Sequence, residues 1–131
     1  MFKKIILSVT IFPMFISLVS YAGEKLVGEE LKQLHMDKTF DMTHYKNGHG
    51  LVYFGSDGDM NLVMDSGTTW EGKWWVNDAG NKRCFKKNEA KKHWCVFVEK
   101  RNNGEYALVS PKTKKTTVNI HRVIDGNKIS Q

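Results

Sequence analysis

The run Thr69-Trp70-Glu71-Gly72-Lys73-Trp74-Trp75-Val76 decides the fold class. Trp70, Gly72, Trp74 and Val76 alternate with Thr69, Glu71, Lys73 and Trp75. A period of two sends successive side chains to opposite faces of a strand. Trp70 and Trp74 share one face and suit a core. Glu71 and Lys73 share the other with Trp75, which predicts an exposed tryptophan unless a helix or loop covers it.

The same period recurs on both sides of this run. Phe40, Met42 and His44 alternate with polar neighbours, Leu51 to Phe54 is a short apolar run, and Met60, Leu62 and Met64 alternate again. Downstream come Trp94, Val96 and Val98, then Tyr106 and Leu108, then Val118, Ile120 and Ile124. Turn formers punctuate these runs: Asn47-Gly48, Asp57-Gly58, Ser66-Gly67, Asp78-Ala79-Gly80, Asn103-Gly104 and Asp125-Gly126. Such pairs supply the positive backbone angles of tight hairpins. The pattern predicts a mainly β chain, a small antiparallel β-barrel or meander of about eight strands. One helical stretch precedes it, over Glu24 to Leu34, where Leu26, Val27, Leu31 and Leu34 approach helical spacing.

The N-terminus reads as a cleavable signal peptide over residues 1–22. Lys3 and Lys4 supply the positive region, Ile5 to Val19 carries no charge, and Ser20-Tyr21-Ala22 ends on small residues. The apolar stretch is shorter than the roughly 20 residues of a membrane span, and Pro13 interrupts it. Cleavage after Ala22 leaves residues 23–131 as a single β-rich domain with no transmembrane segment; an uncleaved anchor is the rival reading. This predicts an exported protein, periplasmic or secreted.

Export changes the meaning of the two cysteines. In an oxidising compartment Cys84 and Cys95 read as a disulfide. Closing a ring of this length stabilises the fold by about 3 kcal/mol. Between them Lys86, Lys87, Lys91 and Lys92 mark a basic, solvent-facing loop. Charge is divided along the chain: residues 23–81 hold five lysines against ten acids, and residues 82–131 hold thirteen lysines and arginines against four acids. A basic half attracts anionic lipid, acidic polysaccharide or nucleic acid, of which nucleic acid is the least available to an exported protein.

The segment Thr69 to Asp78 with Gly80 and Cys84, then Cys95 with Gly104-Glu105-Tyr106, and the closing Val123-Ile124-Asp125-Gly126-Asn127 resemble the pattern of a family of small exported bacterial proteins. That family is known as a domain of unknown function, with a signal peptide, G-x-W, paired cysteines, G-x-Y and a terminal G-N. Tyr53-Phe54 with Asp57-Gly58 is similar to its earlier segment. The resemblance covers most of residues 26–127 and implies export and a β fold, with no activity and no catalytic residue. The lysine-rich loop, Trp75 and the lysines near Lys115 depart from the pattern.

Catalytic constellations are not apparent. Ser56 in Gly55-Ser56-Asp57-Gly58 lacks the setting of a nucleophile elbow. Pairing of Cys95 removes the thiolate that His93 would activate. His44, His49 and Met42 are candidates for a soft metal such as copper, but no tight ligand unit is present, and Met42 reads equally as core with His44 at its rim. Asp57 and Asp59 lack the spacing of a calcium loop. An enzyme would need distant residues such as His121, Asp65 and Glu71 to converge.

These readings predict an exported, disulfide-stabilised binding or interaction protein without a cofactor. Its candidate surface is Trp75 with Lys86, Lys87, Lys91 and Lys92, facing an anionic envelope component or a partner protein. The alternatives are a carrier with its ligand inside the barrel, a secreted factor acting on a host or competitor cell, and an enzyme whose site the sequence does not display.

Overall fold

The computed structural model describes residues 23–129; the signal-peptide expectation falls on residues outside these. The elements run β1 (Glu24–Lys25), α1 (Gly28–His35), β2 (Lys38–His44), β3 (Gly48–Phe54), β4 (Asp59–Met64), β5 (Thr69–Val76), β6 (Arg83–Lys87), β7 (Trp94–Lys100), β8 (Tyr106–Val109) and β9 (Thr116–Asp125). Strands β2 to β9 pair antiparallel in chain order, and β9 returns to pair with β2. The result is a closed eight-stranded antiparallel barrel with one extra strand and one short helix. Closure pairs β2 to β9 around the barrel and leaves only the two-residue β1 as an outer edge among the described strands.

Alternation fills the interior. Phe40 and Met42 on β2, Val52 and Phe54 on β3, Met60 and Leu62 on β4, Trp74 on β5 and Ile120 on β9 are all buried. An eight-stranded barrel is about wide enough for such side chains to meet in the middle. A bulge in β9 opposite Asp41 and Met42 shifts the alternation, so that Ile120 lies opposite Met42 while Val123 lies opposite Phe40. Gly72 faces inward where β6 crosses closely: a Cβ there would stand 2.3 Å from the Lys86 carbonyl oxygen.

The helix is shorter than its spacing predicts. Glu24 and Lys25 are strand, paired with Lys100 and Glu99 of β7. The cause lies in β6, which pairs with β7 only over Trp94 to Val96 and leaves the rest of that edge to β1. Gly28, at φ +58°, then turns the chain into α1 and donates its N–H to the Gly80 carbonyl at 2.6 Å. The helix plugs one end of the barrel with Leu31 and His35, both fully buried. His35 packs on Phe54 (4.7 Å), Phe40 (4.9 Å) and Trp74 (5.4 Å between centroids).

His35 Nδ1 donates to the Leu31 carbonyl at 2.8 Å, so the neutral ring leaves Nε2 as an acceptor. Burial, with the Arg83 charge nearby, lowers its pKa to about 3. Arg83 is itself buried, with its guanidinium 5.0 Å from the Phe54 ring and 5.6 Å from Phe85; burial lowers its pKa to about 10. At the C-terminus, Asp125-Gly126 makes no hairpin. It turns the chain across the outside of β2, where Thr39 Oγ1 donates to the Gly126 carbonyl (2.6 Å) and accepts from the Lys128 N–H (3.0 Å).

Candidate functional site

Strands β5, β6 and β7 form one outer wall. Trp75 lies opposite Cys84, and Cys84 lies opposite Cys95, so the three share this face. The disulfide joins directly opposed residues of β6 and β7, with the Cα atoms 3.9 Å apart. It ties the shortest ladder of the barrel, one of three residue pairs. Cys84 is the second residue of β6, as Cys95 is of β7. Trp75 remains 37 % exposed, with its ring 5.4 Å from that of His93. Among the described residues no helix packs on it, and the loop residue His93 covers only part of its ring.

The predicted basic loop is divided by this geometry. Lys86 and Lys87 are the last residues of β6 and therefore point to opposite faces. Lys86, two residues from Cys84, joins the outer wall. Lys87 lies opposite Gly72 and turns to the open end of the barrel, with Nζ 5.2 Å from the Trp70 ring. Lys91 and Lys92 lie in the following loop, exposed. At that open end Trp70 stacks on Phe85 (5.5 Å), and Phe85 on Trp94 (5.6 Å), which is 49 % exposed. Trp70 and Trp74 share a face as predicted, but only Trp74 is in the core; Trp70 is half-buried at the mouth.

The opposite wall, on β2, β3 and β9, is built from pairs. Asp41 accepts from His49 Nε2 at 2.5 Å and from Arg122 Nε and Nη2 at 3.1 and 2.9 Å. His49 Nδ1 reaches Asp65 at 2.9 Å. Burial acts against ionisation of Asp41, but the hydrogen bonds from His49 and Arg122 bring its pKa below the ordinary value. The hydrogen bonds to Asp41 and Asp65 raise that of His49. With both ring nitrogens engaged by carboxylates, His49 has no nitrogen left to act as a base or ligand.

The metal candidates are separated. Met42 is buried in the barrel, His44 Nδ1 accepts the backbone N–H groups of Lys46 (3.1 Å) and Asn47 (3.2 Å), and His49 is held as above. Burial, then the charge of Lys46, lowers the His44 pKa. Among the described residues no group of three or more His, Cys, Asp or Glu side chains is arranged to hold a metal ion. The trio considered for catalysis does not meet: His121 bonds Thr43 (2.8 Å) and lies 3.5 Å from Glu105, Asp65 bonds His49, and Glu71 stands on β5 opposite Asn61.

Two shallow, open concavities of about 270 and 300 Å³ lie over β4 and β5. The second is bordered by Asn127 and Ile129 of the C-terminal tail. Among the described residues no helix is long and apolar enough to cross a membrane.

Sequence reading missed the lysines that gather at the far side of the β5–β7 wall. Lys25, Lys82 and Lys114 are distant in the chain, and only the closed register brings them to Phe97. The outward phase of Phe97 was the one signal available. Comparison with known proteins returns no matching family model, no similar curated protein and no similar solved structure.

Proposed function

We propose that this chain is an exported binding module whose contact surface is the β5–β6–β7 wall around Trp75. Its partner is an anionic envelope component or a protein with an acidic face. One observation carries the reading: an exposed tryptophan sits on a stapled sheet face beside lysines that have no carboxylate partner among the described residues. Lys82, Lys86, Lys91 and Lys92 form no ion pair there, whereas Lys73 is taken by Asp59 and Lys38 by Asp125. Tryptophan is enriched among the residues that dominate recognition surfaces, and uncompensated lysines attract anionic partners.

The disulfide is consistent with an oxidising compartment outside the cytoplasm. Export itself rests on residues 1–22, and kinship with the small exported bacterial proteins rests on the ordered motifs. The carrier reading is the weaker alternative, because Phe40, Phe54, Met60 and Trp74 occupy the interior where a ligand would sit.

The test is titration of the purified protein against anionic glycans, anionic vesicles and envelope proteins. Trp75→Ala, and charge reversal of Lys86, Lys87, Lys91 and Lys92, should each weaken binding. Full-strength binding by both variants would overturn the placement.

A further inference from the structure

We infer that Lys25, Lys82 and Lys114, gathered around Phe97, form a binding site for a tetrahedral oxyanion, a phosphate or sulfate group carried by the partner. The inference rests on the reading of this wall as the contact surface and names the chemistry that it recognises.

The three ammonium groups lie 4.2, 4.9 and 5.9 Å from one ring centroid. They come from three separately built supports. Lys25 is on β1, fixed by pairing with Glu99 and by the Leu26 N–H on the Val98 carbonyl at 2.8 Å. Lys82 ends a turn organised by Asn77, whose Oδ1 accepts the Asn81 and Lys82 N–H groups, both at 3.0 Å. The Asn77 N–H in turn reaches the Lys82 carbonyl at 3.1 Å. Lys114 is in a left-handed conformation at φ +63°, uncommon for a side-chain-bearing residue. Its N–H bonds the Ser110 carbonyl at 2.9 Å, while Ser110 Oγ accepts from Lys112 and Thr113, both at 3.3 Å.

Convergence of three like charges is unfavourable unless something offsets it. The ring face contributes a cation–π attraction, but no carboxylate pairs with any of the three among the described residues. Glu99, the next outward residue on β7, is taken by Arg101 at 3.1 Å. A compact anion with several oxygens suits such a cluster better than a single carboxylate, because it can accept from more than one lysine as the flexible side chains turn toward it. Lysine is a point-charge donor suited to phosphate without a fixed fork geometry. Backbone hydrogen bonds at all three supports reduce the ordering cost of binding.

The probes are dextran sulfate, long-chain polyphosphate and vesicles of phosphatidylglycerol in phosphatidylcholine, with uncharged dextran and pure phosphatidylcholine as blanks. At least one anionic probe should bind and weaken with salt. In Lys25→Gln/Lys82→Gln/Lys114→Gln that affinity should fall about tenfold or more, and the slope of log Kd against log salt should drop by about two. The pair Lys112→Gln/Lys115→Gln, from the same basic turn, should change affinity by less than about threefold. Binding to the polymers assigns the oxyanion to a soluble or wall polymer; binding to the vesicles alone assigns it to a lipid headgroup.

Retention of wild-type affinity and slope by the triple variant overturns the inference, as does an equal loss in the control pair or a lack of binding to every anionic probe. Should the triple variant fold poorly, Lys82→Gln alone must still lower the slope. Trp75→Ala separates the two proposals. Loss with Trp75→Ala but not with the triple variant leaves the module standing without the oxyanion site. The reverse keeps the oxyanion site and removes Trp75 from the contact.

Discussion

On the β2–β3–β9 side of the barrel, Asp41 holds both His49 and Arg122, and Asp65 takes the other nitrogen of His49. On the β5–β6–β7 side, Lys82, Lys86 and Lys114 have no acidic partner among the described residues, and Trp75 stands open beside them. Both walls belong to one closed sheet and both present polar side chains outward. The difference is that the first wall pairs its central charges internally, whereas the second, with Lys73 held by Asp59 and Glu99 by Arg101, still leaves these lysines without a carboxylate among the described residues. Internal pairing makes a wall that is self-sufficient and contributes to stability; absence of pairing makes one that contributes little to stability and much to association.

The largest expected effect tests whether the walls share one cooperative interior. His35 has a folded pKa of about 3 against an ordinary 6.5. A depressed folded pKa gives stability that is present above pH 6.5 and is lost as pH falls toward 3. The full difference is on the order of 5 kcal/mol. Urea midpoints measured downward from neutral pH should fall through this window. Hydrogen-exchange protection should fall on both walls together, and His35→Gln should flatten the acid limb. Loss of protection on one wall alone would break the comparison by making the walls separate units.

Next is the staple. Cys84→Ser/Cys95→Ser should cost about 3 kcal/mol, with faster exchange concentrated in β6 and β7, where three residue pairs are all that hold the ladder. The β2–β3–β9 wall should keep its relative protection.

Third, the charges of the two walls should respond differently to removal. Asp41→Asn removes the negative charge and replaces one of the two carboxylate oxygens that serve His49 and Arg122 by an NH2 donor, and should destabilise by about 1–2 kcal/mol. Lys82→Gln with Lys114→Gln should shift stability by less than about 0.5 kcal/mol, because relief of like-charge repulsion and loss of the cation–π contacts with Phe97 act in opposite directions. A substantial loss in the lysine variant would show hidden structural pairing on the wall described as open.

The smallest effect is alkaline. His49 has a raised folded pKa, so its contribution is present below 6.5 and is lost as pH rises through the folded value. With its side chain 40 % exposed, solvent screening limits this to a few tenths of a kcal/mol. It should vanish in His49→Gln and leave the lysine wall untouched.

Much of this architecture was legible in residue order. The alternation in Thr69 to Val76 placed Trp74 with the core and Trp75 on the opposite face without deciding whether Trp75 is covered, and the turn pairs marked five of the hairpins. The expectation of export reads Cys84 and Cys95 as a disulfide, and the two stand directly opposed and bonded across β6 and β7. What escaped depended on register and on partners far away in sequence. Glu24 and Lys25 followed helical spacing, yet a free stretch of β7 edge recruited them as strand. Lys86 and Lys87 read as one basic loop, but strand alternation sends them to different faces. The oxyanion cluster was invisible because Lys25, Lys82 and Lys114 share no local pattern; the closed sheet and two hydrogen-bonded turns bring them to Phe97. Asp41 and Arg122, likewise, meet only because β9 returns to β2.

The most direct test of the contrast is a footprint. Backbone and indole N–H resonances of the purified protein would be followed by NMR during titration with dextran sulfate and polyphosphate. The account predicts perturbations at Trp75, Lys82, His93, Phe97 and Lys114, with Asp41, His49 and Arg122 unmoved. A footprint centred on the β2–β3–β9 wall, or spread evenly around the barrel, would contradict it.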